Sequence, residues 1–466
     1  MGKTFRPYEL NQRLLLPPDM REWLPEGHLA LFVSDVVDAL DLSAIFAAYE
    51  GEERGQPPYH PAMMVKLLVY AYCTGKPSSR KIERATYEDV AYRVLAADQH
   101  PDHDSIAAFR QRPLQALAGL FVQVLRLCQE AGLVQLGHVA LDGTKIKANA
   151  SQHKAMSYAR MCAAEQELAQ EVARLLAQAQ AVDADEDARY GAGRRGDELP
   201  AELARRESRL AKIRAAKAAL EEEAQARAAR QAEAAQAKLI ERAQQEAATG
   251  KKALGRPPTV PDPAQATPEP TAQRNFTDPE SRIMKMADGS FHQCFNGQVA
   301  TQADTGVIVG AQMSNVAPDV GHLLSVLDDV IGNSGRPPRQ VVADAGYWSE
   351  DNAAGVAERD VDGFIATGRT KHNEPVPAPP RGRIPASATP KERMARKLRT
   401  KRGKAIYARR KVDVEPVIGQ MKGRQNAGRV RLRGLDGATG EWLLHCLCHN
   451  VLKLHSAPAK ARLATS

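Results

Sequence analysis

Asp142, Asp344 and Glu415 are the residues whose types and settings could do chemistry together. Cleavage of a phosphodiester at two metals needs ions about 3.5–4 Å apart, one activating the nucleophile and one stabilising the leaving oxygen. Mg²⁺ prefers oxygen ligands and keeps several waters, so a few carboxylates suffice to hold it. Three carboxylates that converge without such cations repel one another and raise their own pKa values. Two aspartates on strands and one glutamate on a helix would make a sensible cage, if the fold joins residues this far apart in the chain.

Each acid also has an ordinary reading. Asp142 sits in VALDGTK, and Asp-Gly between apolar runs is the strongest short signal for a type I′ hairpin turn. The alternative puts it on a central strand, with Gly143 leaving room for a substrate backbone. Asp344 ends the apolar run Val341-Val342-Ala343, and Ser349 then caps a helix, EDNAAGVAER. A carboxylate at the C-terminal edge of a buried strand lies where ligands bind α/β sheets. A polar residue at a strand-to-loop junction is equally ordinary. Glu415 lies in YARRKVDVEPVIGQMK. The first turn of a helix tolerates Pro416 where its interior would not. Asp413 is therefore expected to cap a helix from Val414, with Lys422 two turns beyond Glu415 on one face. A surface helix with ordinary charges explains the same residues.

Other clusters carry less. The stretch from Arg381 to Arg433 is dense in Lys and Arg and poor in acids, which suits phosphate contact or a solvated face. Tyr347 and Trp348 could stack on a displaced base, although packing under the strand is the plainer use of Trp348. His445, Cys446, Cys448 and His449 invite a zinc reading, but they lie in an apolar helix without a second ligand pair, so core packing is expected. HPDHD at 100–104 reads as a loop and helix cap. The Ser and Cys residues show no His partner arrangement that would argue for a covalent intermediate.

The elements that must position these residues follow from patterning. The 466 residues allow about three domains at roughly 150 residues each. Hydrophobic residues at 43% and charged residues at 26% suffice for a buried core, while 5% aromatics suggest helix without much core. The net charge of +8 favours a polyanionic partner. Six scattered cysteines with no C-x-x-C pair argue against a disulfide framework and a thiolate zinc site, so a reducing compartment is expected. With neither a signal-like opening nor a run of about 18 apolar residues, the chain reads as cytoplasmic, with no membrane partner.

Residues 1–132 read as an all-α domain, with Ser78 and Asp104 as caps. Within it, Ser79–Arg112 could hold a helix-turn-helix with Arg110 and Arg112 facing DNA, or simply part of a charged helical bundle. Residues 133–154 and 276–456 mix strands and helices as one discontinuous α/β domain. Between them, 155–275 reads as a long, coiled-coil-like helical hairpin turning near Gly191–Pro200, then a Pro-rich linker, GRPPTVPDPAQATPEP. Its stripes are Leu168, Val172, Leu175 and Leu176, then Leu203, Leu210, Ile213 and Leu220.

LDGTKIKANAS at 141–151, TDPESRIMK at 277–285, ADAGYWSE at 343–350 and YARRKVDVEPVIGQMK at 407–422, with the opening PYELNQRLLLPPDMREWLPEGHLA, resemble the DDE transposases of bacterial insertion sequences that carry an InsH-like N-terminal domain. The resemblance spans nearly the whole chain. It implies an RNase H-like catalytic core in which Asp142, Asp344 and Glu415 are the catalytic acids and hold two Mg²⁺ or Mn²⁺ ions. It implies cleavage at element ends and transfer of the 3′-hydroxyl into target DNA, by an enzyme acting on double-stranded DNA as a homodimer in the nucleoid. Tyr407, Arg410 and Lys422 match the family signature around the glutamate and would grip phosphates, with Lys411, Arg424 and Trp348 as further DNA contacts. Family spacing puts the arginine four residues before the glutamate, at Lys411 here; Arg410, one step earlier, is the assignment taken.

Two other functions fit parts of the chain. A non-catalytic protein that binds element ends would need the basic stretch but not the acids. A coiled-coil assembly protein would use the 155–248 hairpin to oligomerise.

Overall fold

The computed structural model describes residues 19–49, 57–151, 154–190, 201–368 and 382–457. The start of the opening motif, the hairpin turn at 191–200 and Arg381 lie outside these residues. Contacts divide the chain into two units, Met1–Ile146 with Asn296–Ser466, and Lys147–Phe295.

The first unit begins with helices α1 (Leu29–Asp38), α2 (Ser43–Ala47), α3 (Pro61–Cys73), α4 (Ser79–Glu88), α5 (Val90–Leu95), α6 (His103–Gln111) and α7 (Leu114–Glu130). Pro61 starts α3, where its missing N–H costs nothing, and the helix is buried along almost its whole length. Ser78 precedes α4 without a side-chain cap bond. The cap of α6 is Asp102, not Asp104: the Asp102 carboxylate accepts from Ser105 N–H at 2.8 Å, and Asp104 falls in the first turn. Strand β1 (Val139–Lys147) follows.

The second unit holds β2 (Ala155–Ser157), α8 (Tyr158–Tyr190), α9 (Ala201–Thr249), β3 (Gln273–Asn275) and β4 (Arg282–Lys285). Helices α8 and α9 close on one apolar seam of Met161, Leu168 and Val172 against Leu210, Ile213 and Leu220. Glu165 reinforces the seam by binding Arg214 at 3.0 Å and Lys217 at 2.9 Å. Leu176, assigned to the seam by spacing, is exposed. The Pro-rich segment is held against α9. Arg242 donates to Ala253 O at 2.6 Å and Gly255 O at 2.9 Å, pinning its start, and a short helical turn at Pro263–Gln265 packs back on the helix. Alanines at 224 and 228 keep that face of α9 low enough for an extended, proline-stiffened chain to lie on it.

Strand β5 (Phe291–Gln302) runs from the second unit into the first, and is followed by β6 (Ile308–Ser314), α10 (Leu323–Ser334), β7 (Gln340–Ala343), α11 (Glu350–Glu358) and β8 (Asp362–Ile365). The six-stranded sheet has the order β4-β5-β1-β7-β8, with β6 also pairing β5. β1, β7 and β8 run parallel, whereas β5 and β6 are antiparallel. As the chain climbs from His138 to Ala148, its bonded partner descends from Ala303 to Gln293, so β5 also opposes β1. This mixed sheet is compatible with an RNase H-like core.

Helices α12 (Pro390–Arg399), α13 (Lys401–Ala408), α14 (Arg410–Asp413), α15 (Glu415–Gly423) and α16 (Gly434–Ser456) complete the unit. The first two occupy a stretch the sequence marks only as basic and Pro-containing; Thr389 and Glu392 form a capping box that starts α12. Helix α16 is the spine, packed on β6 on one side and on α3 and α7 on another. Gly297 is required beneath it, because a Cβ there would stand 3.0 Å from the Trp442 ring. Cys446, Cys448, His445 and His449 are packed in this core as expected, His445 against the Tyr72 ring at 4.7 Å and His449 Nε2 at 3.0 Å from Gly306 O.

Candidate active site

Two of the three acids are set by strand register. Leu141 on β1 pairs with Ala343 on β7, so Asp142 and Asp344 follow at one level on neighbouring parallel strands. The Asp142-Gly143 pair therefore lies inside a strand and makes no hairpin turn; β1 is flanked by β5 and β7 and cannot fold back on itself there. Asp344 leaves β7 at its C-terminal edge, where its Oδ1 accepts from Gly346 N–H at 2.7 Å. Ser349 then caps α11, as expected from sequence.

Glu415 arrives by a break in a helix. Pro416 has no N–H for the helical bond to Val412. Helix α14 stops at Asp413, Val414 departs to φ −111°, and α15 restarts at Glu415. Arg410 meets the acids from five positions upstream of Glu415. Its Nη1 donates to Asp142 Oδ2 at 3.0 Å and its Nη2 to Glu415 Oε1 at 3.3 Å. Lys411, at the family spacing, is exposed. Asp413 is not the expected cap: it is buried, 3.4 Å from His138 Nε2 and 3.5 Å from Arg409 Nε.

Burial lifts Asp142 to about 6; Arg410 and the Gly143 N–H oppose the rise, while Asp344 and Asp319 add to it. Tyr407 is half-buried, which raises its hydroxyl pKa, and the neighbouring Arg410 charge opposes the rise. One guanidinium thus serves carboxylates from a strand and a helix that the sequence separates widely.

Asp319 carries no sequence signal of its own. It lies just before α10, and its Oδ1 accepts from Asn296 Nδ2 at 2.7 Å, Gln298 Nε2 at 2.9 Å and Lys145 Nζ at 3.3 Å. The buried Tyr347 hydroxyl donates to Gln298 Oε1, which links the residues after Asp344 to the same network. A Cβ on Gly143 would stand 2.7 Å from Asp319 Oδ1, and one on Gly346 3.5 Å from Oδ2, so both glycine-bearing segments beside the acids lie close against this carboxylate. The available signal is on β5, where Asn296 and Gln298 interrupt a buried strand; buried amides require partners.

Among the described residues, no three His, Cys, Asp or Glu side chains converge tightly enough to hold a metal as they stand. The donor set nevertheless suits a hard divalent cation: carboxylate oxygens only, from Asp142, Glu415 and the adjacent Asp344. One oxygen of Asp142 and one of Glu415 are bound to Arg410.

The remaining candidates divide. Lys422 Nζ donates to Lys145 O at 3.2 Å. Arg112 is exposed, its guanidinium 4.6 Å over the Tyr49 ring. Arg424 is exposed, and Trp348 is half-buried. Arg110 does not face solvent: it is 6% exposed and donates to Tyr72 Oη at 3.1 Å and Pro77 O at 2.9 Å. Tyr347 is buried with its hydroxyl bonded, which removes it as a base-stacking residue. In the basic stretch, Lys397 and Arg402 bind Asp362 and dock α12 and α13 on β8, while Lys391, Lys401 and Lys404 are exposed.

Residues 18–112 match a family described as a transposase domain (DUF772), and residues 383–455 match one described as a transposase DDE domain. Glu415, Tyr407, Arg410 and Lys422 fall within the second match, whereas Asp142 and Asp344 lie outside both. No curated protein and no solved structure matches the chain. No helix of the described residues is long and apolar enough to cross a membrane.

Proposed function

We propose that this chain, which carries matches to two transposase domain families, is a DDE transposase of the insertion-sequence type, with Asp142, Asp344 and Glu415 as its catalytic centre on an RNase H-like core. The observation that carries the proposal is Arg410, bonded at once to Asp142 and Glu415, while strand register sets Asp344 beside Asp142. Acids gathered from three distant segments repel one another unless cations stand among them, as Arg410 does between Asp142 and Glu415.

The reaction is water-driven cleavage of the phosphodiester at an element end, which frees a 3′-hydroxyl. That hydroxyl then attacks a phosphodiester of target DNA and expels a target 3′-oxygen. Two Mg²⁺ or Mn²⁺ ions held by the three acids would activate the attacking oxygen and stabilise the leaving one. The chain's own part is positioning. Neighbouring strands hold Asp142 and Asp344, and Gly143 lets Gln298 and Asp319 pack directly against the strand. Asp319, Gln298 and Tyr347 fix the segments on either side. Arg410, once released from the carboxylates, is free to meet a phosphate, and Tyr407 orients it. Lys422, Lys411, Arg112 and Trp348 extend the contact to flanking DNA, with a second copy of the chain on the other end.

The test is Mg²⁺- or Mn²⁺-dependent nicking of end-containing DNA by the full chain, with Asp344→Ala as control. Loss of cleavage of roughly a hundredfold or more, with DNA affinity retained, is expected. Equal cleavage by the variant defeats the assignment.

A further inference from the structure

A cavity of about 250 Å³ lies between the end of α15 and the last turns of α16, lined by Gln420, Arg424, Gln425, His449, Lys453 and Ser456, with Leu452. No acid lines it. Lys453 is half-buried, and burial lowers its pKa with no carboxylate opposing. Gln425 is 1% exposed, yet neither atom of its amide has a hydrogen-bond partner. Opposite it, Gly306 takes φ +68°, and Lys453 Nζ stands 2.9 Å from where a Cβ would be, so the hairpin turn there is shaped to admit the ammonium. Arg424 and Lys453 both sit at helix C-termini, where a cation offsets the dipole. That placement explains a cation at each position. It does not explain a buried amide left without a partner beside them.

We infer that this cavity is a phosphate site, taken by a backbone phosphate of the DNA strand that passes the active site. The inference rests on the DNA reading above. Arg424 and Lys453 supply charge, the Gln425 amide N–H supplies a neutral donor, and a phosphate supplies the acceptor that this buried amide lacks. The Ser456 hydroxyl at the rim is already bonded to Leu452 O at 2.8 Å and is not needed. Helix α15 carries Glu415 at its first residue and spans nine residues, about 14 Å at 1.5 Å per residue. At about 3.4 Å of duplex axis per phosphate of one strand, a duplex lying along α15 would set this phosphate roughly four nucleotides from the cut.

The experiment measures binding of a labelled duplex to the full chain in EDTA, between about 50 and 200 mM KCl. Each neutralised phosphate contributes about one to the slope of log affinity against log salt. A chain carrying both Arg424→Gln and Lys453→Gln is expected to lower the slope by about one, and Lys453→Arg alone to leave it at the wild-type value. Gln425→Leu should weaken binding about tenfold and leave the slope unchanged, because it removes a neutral donor to a charged acceptor. A slope equal to wild type in the double variant overturns the inference. If inorganic phosphate binds wild type but not the double variant while the DNA slopes stay equal, the site takes a free anion and the strand assignment is wrong. A wild-type chain that binds no duplex at the lowest salt sinks the proposed function itself, a result distinguishable from the other two.

Discussion

Replacing His445 by Leu should make the first unit less sensitive to acid. His445 is 1% exposed, and neither ring nitrogen has a hydrogen-bond partner. Burial pushes its pKa down from 6.5 to about 4, with Glu441 opposing and Arg431 and Arg110 assisting. The unfolded chain therefore takes up a proton near pH 6.5, whereas the folded chain resists until about pH 4. Stability is intact above pH 6.5 and falls as pH drops through that window. At about pH 5 the loss is RT ln[(1 + 10^1.5)/(1 + 10^−1)], about 2 kcal/mol. His449, also lowered to about 4, adds a similar amount. Wild type should thus lose about 4 kcal/mol from this pair between roughly pH 7.5 and 5, and His445→Leu about half of that. At about pH 7.5 the substitution should be nearly neutral, because it deletes two unpartnered polar atoms and returns an apolar group. Urea unfolding followed by tryptophan fluorescence is the assay, since Trp23, Trp348 and Trp442 all lie in the first unit. A variant that loses as much stability on acidification as wild type would refute the reasoning.

Arg410→Gln removes the charge that most strongly opposes the rise at Asp142. Carboxyl NMR of metal-free protein should then place the Asp142 midpoint above about 6, and an unmoved midpoint would contradict the bridge. Gly143→Ala places a Cβ 2.6 Å from Gln298 Nε2 and 2.7 Å from Asp319 Oδ1. A cost of about 1–3 kcal/mol by urea unfolding is expected, and stability equal to wild type would mean that the network yields freely.

The strand before Asp344 is legible in the sequence, because Val341, Val342 and Ala343 form a short apolar run that suits a strand buried on both faces, and the carboxylate then falls at its edge. The helical hairpin is equally legible, since Leu168, Val172, Leu210, Ile213 and Leu220 repeat at helical spacing and do meet. Asp142 is ambiguous because Asp-Gly means a turn unless something forbids one, and what forbids it is β7, a strand that forms only from residues far along the chain. Arg110 misleads for a related reason. Its burial depends on Tyr72 and on Glu441 of α16, and no local pattern announces a charge partner that distant. Asp319 is invisible because its meaning lies entirely in Asn296, Gln298 and Lys145, which the sheet gathers around it.

The second unit leaves the chain after Ile146 and gives it back at Asn296, on strands that are immediate neighbours. Ala148 N–H still bonds Gln293 O at 2.8 Å, so the two ends of the insertion meet as the two sides of a hairpin would. For the β1–β7 ladder, the whole excursion is therefore a loop, and the entropy of closing a loop grows only slowly with its length. Descendants of this protein could lengthen, trim or exchange that appendage while the spacing between Asp142 and Asp344 stayed fixed by a ladder the appendage never enters. Evolution is thereby free to tune what the arm touches without retuning the chemistry.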